Sequence, residues 1–103
     1  MFRVMKISLE KYSAIVYSCS YESPISYLLE IENQVRKLGI EEGYILFDTL
    51  LSKGNVSNRF FEVKFEKGKF DKSSFQNVAV EKKSEIRKKA SDFYRESGIN
   101  LNN

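Results

Sequence analysis

Two hydrophobic rhythms take turns along the chain. Met5, Ile7 and Leu9 alternate with Lys6 and Ser8, the period of a half-buried strand, and predict a strand over residues 2–9. Ile15, Val16 and Tyr17 form an apolar run of high β propensity and predict a second strand over 12–19. Glu10 and Lys11 between them suffice for a tight hairpin connection. The period then lengthens. Leu28, Ile31, Val35 and Leu38 recur at steps of three and four, with Ile25 and Leu29 beside them, so residues 24–38 predict a helix with one apolar stripe. Ser23 suits its N-cap, and Pro24 the first helical position, where a missing N–H costs nothing. Gly39 fits the left-handed residue after the last turn. Glu30, Glu32, Asn33 and Arg36 fall off the stripe and are expected to face water or a partner.

Strand chemistry returns after Gly43. Tyr44, Ile45 and Phe47 favour sheet and predict a strand over 44–51, with a short helix over 48–52 as the alternative. Ser52, Lys53, Gly54 and Asn55 are loop residues. Phe61, Val63 and Phe65 alternate with Glu62, Lys64 and Glu66, and Lys67-Gly68 reads as a two-residue turn between strands over 58–66 and 69–75. That register sets Phe65 opposite Phe70 and Glu66 opposite Lys69. Val78 and Val80 extend this hairpin or add a strand. A last helix is predicted over 85–97, capped by Ser84 and stopped by Gly98, with Ile86, Ala90, Phe93 and Tyr94 inward and Glu85 and Lys89 paired. The tail 99–103 is expected to fray. No repeat or linker interrupts the chain, which is expected to be one domain over 1–103. The expected fold is α+β: an antiparallel sheet of four or five strands, order β-β-α-β-β-β-α, with both helices on one face.

Composition adds exclusions. Of 103 residues, 42% are apolar and 30% charged, a globular balance, and eight Phe and six Tyr can furnish a core without disulfides. Cys19 stands alone, the N-terminus lacks the pattern of a signal peptide, and no stretch is apolar enough to span a membrane, so a reducing cytoplasm is expected. Histidine is absent, which removes the commonest general base, the Ser-His and Cys-His pairs and most zinc sites. Glu30 and Glu32 point in different directions on a helix, Glu41 and Glu42 are neighbouring loop residues, and the five glycines are scattered. Asp48 with a glutamate is the remaining hydrolytic arrangement, in a chain with little room for both a core and a cleft. The expectation is a binding protein with no catalysis, cofactor, metal or small-molecule substrate.

Charge changes the picture by its distribution. The net charge is +3, but residues 20–50 hold six acids (Glu22, Glu30, Glu32, Glu41, Glu42, Asp48) and two bases (Arg36, Lys37), a local −4 that leaves +7 elsewhere. An acidic region suits a basic partner; the plainer alternative is a solvated helix face. The rival reading is RNA binding. Lys82, Lys83, Arg87, Lys88 and Lys89 cluster around the last helix, and Arg59, Lys64, Lys67 and Lys69 lie among Phe60, Phe61 and Phe65. It ranks second, because aromatics at period two usually form core and helical lysines usually face solvent.

One further pattern is longer than a short motif. Tyr21-Glu22-Ser23-Pro24 leads into the helix bearing Glu30-Ile31-Glu32, and Gly43-Tyr44-Ile45-Leu46-Phe47-Asp48 is followed by Leu50-Leu51, Gly54 and Asn58-Arg59-Phe60. On these two blocks, residues 21–70 resemble the RnlB family, the antitoxins of RnlA–RnlB toxin–antitoxin systems. The resemblance implies neutralisation of a bacterial ribonuclease toxin by direct protein–protein binding. Immunity proteins of contact-dependent inhibition systems are functional neighbours. On this reading the partner-binding residues are Tyr21, Glu22, Glu30, Glu32, Glu41, Glu42, Asp48, Asn58 and Arg59. Asp48 and Arg59 have an alternative role as an internal ion pair across neighbouring strands, and Asn58 as a turn residue. Phe47 and Phe60 are expected in the core, and Tyr21 at an interface.

Overall fold

The computed structural model describes residues 2–18, 24–49 and 59–99. The expectations for Cys19, Tyr21, Glu22, Ser23, the loop 52–55, Asn58 and the tail 100–103 lie outside these residues, as does the side chain of Ile25. Five strands and two α-helices follow the expected order: β1 Phe2–Leu9, β2 Tyr12–Ser18, a 3-10 turn Pro24–Tyr27, α1 Leu28–Lys37, β3 Gly43–Asp48, β4 Phe60–Glu66, β5 Lys69–Asn77 and α2 Val80–Glu96. The fold is α+β, and its sheet has the strand order β1-β2-β3-β4-β5.

Short turns make antiparallel pairs. Glu10, at φ 51°, helps the β1–β2 chain reverse. Lys67 (φ 53°) and Gly68 (φ 77°) are both left-handed, the signature of a type I′ hairpin. The register is as expected, with Phe65 opposite Phe70 and Glu66 opposite Lys69. The β2–β3 pair departs from expectation and is parallel. The reason is the connection: two parallel neighbours need a crossover of about a dozen residues or more, and α1 supplies it. Gly43 begins β3 at φ 142°, and a Cβ there would stand 2.7 Å from Ser13 Oγ, where the β2–β3 register shifts.

The helices lie on opposite faces, not on one. Alternate residues of a strand point to opposite sides. Ile15, Tyr17, Leu46 and Phe60 pack with Ile86, Ala90 and Tyr94 of α2. Ala14, Val16, Ile45, Phe47, Val63 and Phe65 pack with Leu28, Ile31 and Val35 of α1. Central strands that are apolar at successive positions need cover on both sides, and one helix cannot provide it.

Four smaller expectations are corrected. Leu29 lies outside the stripe and is 77% exposed. Glu32 is buried, because α1 crosses the start of β5 and its Oε2 accepts the Phe70 N–H at 2.8 Å. The last helix begins at Val80, so Ser84 lies inside it and Val80 belongs to no strand. Ala79 makes no side-chain cap; the start is set by Val78, which is buried and donates its N–H to the Phe60 carbonyl. Tertiary anchoring here overrides a capping signal. Ile99 does not fray: its N–H bonds the Tyr94 carbonyl at 2.9 Å, and it packs on the core under α2.

Candidate partner-binding surface

Two of the nine sequence-predicted residues meet inside the molecule. Asp48 ends β3 and Arg59 precedes β4, and the β3–β4 register brings them side by side. Arg59 Nε donates to Asp48 Oδ1 at 2.8 Å and its Nη2 to Oδ2 at 3.0 Å. The Tyr94 hydroxyl donates to Oδ2 at 2.7 Å. The Asp48 side chain is 0% exposed, so this carboxylate is spent on tying α2 to the sheet. Burial opposes the guanidinium charge, but the Asp48 hydrogen bonds and charge outweigh it and hold the Arg59 pKa above its ordinary value. Burial, followed by the Asp48 charge, pushes the Tyr94 hydroxyl far up.

A second buried network was not foreseen. Glu62 Oε1 accepts from the Tyr12 hydroxyl at 2.7 Å, and Oε2 from Lys11 Nζ at 2.7 Å and Gln76 Nε2 at 3.0 Å. Lys11 Nζ also lies 4.3 Å from the Tyr44 ring centre. Burial raises the Glu62 pKa, but these hydrogen bonds and the Lys11 charge outweigh it and leave it below the ordinary value. Tyr12 is pushed up by burial and by its bond to Glu62. The available signal was the crowded apolar character of β4, which implies cover on the face where Glu62 points.

The remaining candidates divide by exposure. Glu32 is bound to β5, while Tyr21, Glu22 and Asn58 lie outside the described residues. Glu30, Glu41 and Glu42 are exposed. Glu41 and Glu42 share a shallow cleft with Lys6, Ser8, Glu10 and Lys11 of the first hairpin. The tip of the β4–β5 hairpin is docked beside it, through the Gly68 N–H to the Glu41 carbonyl at 3.1 Å and Arg36 Nη1 to the Gly68 carbonyl. The local −4 of the sequence is therefore thinner at the surface, because Glu32 and Asp48 are turned inward.

The features that favoured RNA fare differently. Phe60 and Phe65 are core residues, and Phe61 stacks on Phe47 at 5.0 Å, so these rings are occupied by one another. Lys82 and Lys89 reach Glu10 at 3.9 and 3.2 Å, and Lys89 also pairs with Glu85. Arg87 and Lys88 are exposed. Among the described residues no group of three His, Cys, Asp or Glu is placed to hold a metal, and no helix is long and apolar enough to cross a membrane.

A family model described as the antitoxin to bacterial toxin RNase LS or RnlA matches residues 13–103. The match runs from β2 through α2, further than the two blocks at 21–70, and begins after β1. No curated protein matches the chain.

Proposed function

The chain belongs to the RnlB antitoxin family, and from that premise we propose that it neutralises an RNase of the RNase LS or RnlA type by binding the toxin directly, without catalysis or cofactor. The family match over residues 13–103 carries this reading. The geometry supports it, because the buried carboxylates of Asp48 and Glu62 are engaged by internal donors while Glu30, Glu41 and Glu42 are exposed at the surface. An RNase must attract phosphate, so its substrate cleft is basic, and opposing carboxylates would steer the two proteins together. We assign the contact to Glu30, Glu41 and Glu42, with Tyr21, Glu22 and Asn58. Glu32, Asp48 and Arg59 act through the shape they hold. The cytoplasm, where such a toxin would meet its RNA, is the proposed site of action.

Co-expression tests this directly. An RnlA-type RNase produced alone should arrest growth, and with this chain growth should resume and the two proteins should coelute on gel filtration. Changing Glu30, Glu41 and Glu42 together to Lys should slow association about tenfold or more, with the denaturation midpoint unchanged. Persistent arrest with the chain folded and in excess would overturn the proposal. Neutralisation of the toxin domain of a contact-dependent inhibition system instead would reassign the chain to immunity.

A further inference from the structure

A hairpin turn normally ends in solvent, but the tip of the β4–β5 hairpin is packed into the molecule. Gly68 is buried, and its N–H donates to the Glu41 carbonyl at 3.1 Å. Arg36 closes this arrangement from α1. Its Nη1 donates to the Gly68 carbonyl and its Nη2 to Asn33 Oδ1, so a guanidinium expected to face water or a partner is taken up within the chain. The fit is close: a Cβ on Gly68 would stand 3.0 Å from Arg36 Cδ, and the φ of 77° there favours glycine in any case. The loop held in this way, residues 39–42, carries Glu41 and Glu42. At its start the Gly39 N–H bonds the Arg36 carbonyl at 2.9 Å, Ile40 is buried in the core toward α1, and Gly43 then enters β3. Arg36 therefore fixes the loop twice, by its own carbonyl and, through Gly68, by its side chain.

We propose that Arg36 and Gly68 are positioning residues for toxin binding. They hold the backbone of Glu41 and Glu42 in one conformation, so that both carboxylates meet the RNase without first having to be ordered. The inference rests on the antitoxin reading and on the place of Glu41 and Glu42 in the contact, and it adds two residues that act through that loop. The alternative, Arg36 as one more surface charge, has the opposite sign. Removing a cation from the cleft that it lines with Glu41 would strengthen attraction to a basic RNase, whereas releasing the loop weakens the complex.

Arg36→Gln separates the two. In the free chain, amide hydrogen exchange at Gly68 should quicken while exchange across the β2–β3 ladder is unchanged. Affinity for an RnlA-type RNase, measured by titration calorimetry, should fall about fivefold. In a chain already carrying Glu41→Gln and Glu42→Gln, the same substitution should change affinity by less than about twofold, because the groups it positions are gone. Gly68→Ala, which takes the room that Arg36 occupies, should reproduce both the loss and its dependence on the two glutamates. If Arg36→Gln leaves affinity unchanged, raises it, or lowers it equally with and without Glu41 and Glu42, the positioning role is overturned and the antitoxin reading stands. If Glu41→Gln with Glu42→Gln binds as tightly as the unaltered chain, the loop is no part of the contact and the inference falls with that assignment alone. If the unaltered chain forms no complex, the antitoxin reading falls and the inference with it.

Discussion

The two faces of the sheet are held by different physics. Toward α1, Phe47 stacks on Phe61 at 5.0 Å and lies within 5.7 Å of both Phe70 and Phe75, and Phe65 meets Phe70 at 5.1 Å. These contacts are apolar, broad and tolerant of small adjustments, and the Glu32 carboxylate adds one buried bond to the Phe70 N–H. Toward α2, the buried surface contains two carboxylates, each saturated by donors from separate elements: Asp48 by Arg59 and Tyr94, Glu62 by Lys11, Tyr12 and Gln76. Hydrogen bonds are directional, so the Tyr94 bond to Asp48 specifies one placement of α2 and the Glu62 bonds tie β4 to the first hairpin and β5, and failure is abrupt when a single partner is lost. One face of the fold supplies adhesion, the other supplies alignment.

The largest expected effect is at the alignment face. Asp48→Asn keeps the shape but strands the Arg59 guanidinium, 18% exposed, without its counter-charge, and should cost about 3–5 kcal/mol in urea denaturation. Phe47→Leu, an equally modest change on the adhesive face, should cost about 1–2 kcal/mol. If the order were reversed, the contrast between the faces would be wrong. A sharper version replaces the whole constellation at once, with Asp48→Leu, Arg59→Met and Tyr94→Phe in one chain. Apolar replacement of a complete buried network costs less than breaking it, so this triple variant should be more stable than Asp48→Asn alone.

Glu62 should contribute less and should reveal itself through pH. Glu62→Gln weakens charge-assisted bonds and should cost about 1.5–3 kcal/mol near neutrality. The Glu62 pKa in the folded state lies below its ordinary value of 4.5. Its stabilisation is therefore complete above 4.5 and is lost as pH falls through the lower folded value. Urea titrations at successive pH values should show the wild type and the Gln variant converging in acid. A gap that stayed constant down to pH 3 would show that Glu62 contributes through shape rather than charge.

Legibility in the sequence followed the same division. Whatever depends on local periodicity could be read: the element order, the two-residue turn at Lys67-Gly68, the pairing of Phe65 with Phe70, and an internal Asp48–Arg59 pair as one of two alternatives. What depends on the third dimension was harder. β2 and β3 carry Ala14, Ile15, Val16, Tyr17 and Ile45, Leu46, Phe47 in unbroken apolar runs, the mark of strands covered on both faces. Weighing that mark would have put the helices on opposite sides and made β2–β3 parallel. Glu32 and Glu62 are polar at positions that helical and strand periods alone assign to solvent. The crossing of α1 over β5 turns Glu32 inward, and the donors Lys11, Tyr12 and Gln76 converge on Glu62. Of the partner-binding set, exposure could be judged for loop residues such as Glu41 and Glu42, and misled for Glu32.

The smallest expected effect decides whether burial, rather than charge itself, separates the two faces. Glu10 lies on the α2 side and reaches Lys82 at 3.9 Å and Lys89 at 3.2 Å, so it ties the first hairpin to α2 with the same chemistry as the buried networks. The difference is water at the carboxylate: the Glu10 side chain is 23% exposed, that of Glu62 only 6%. In high dielectric the attraction is weak, holding long side chains in place costs entropy, and salt screens what remains. Lys89 also has Glu85 on its own helix at 3.0 Å, so removing Glu10 does not leave it unpaired. Glu10→Gln should therefore leave the urea midpoint within measurement error, with any residual shift disappearing in about 1 M salt, where charges are screened within about 3 Å. A loss comparable to that of Glu62→Gln would mean that α2 is aligned by its charges wherever they lie. The contrast drawn between buried networks and surface pairs would then have to give way to one between a charged face and an apolar one.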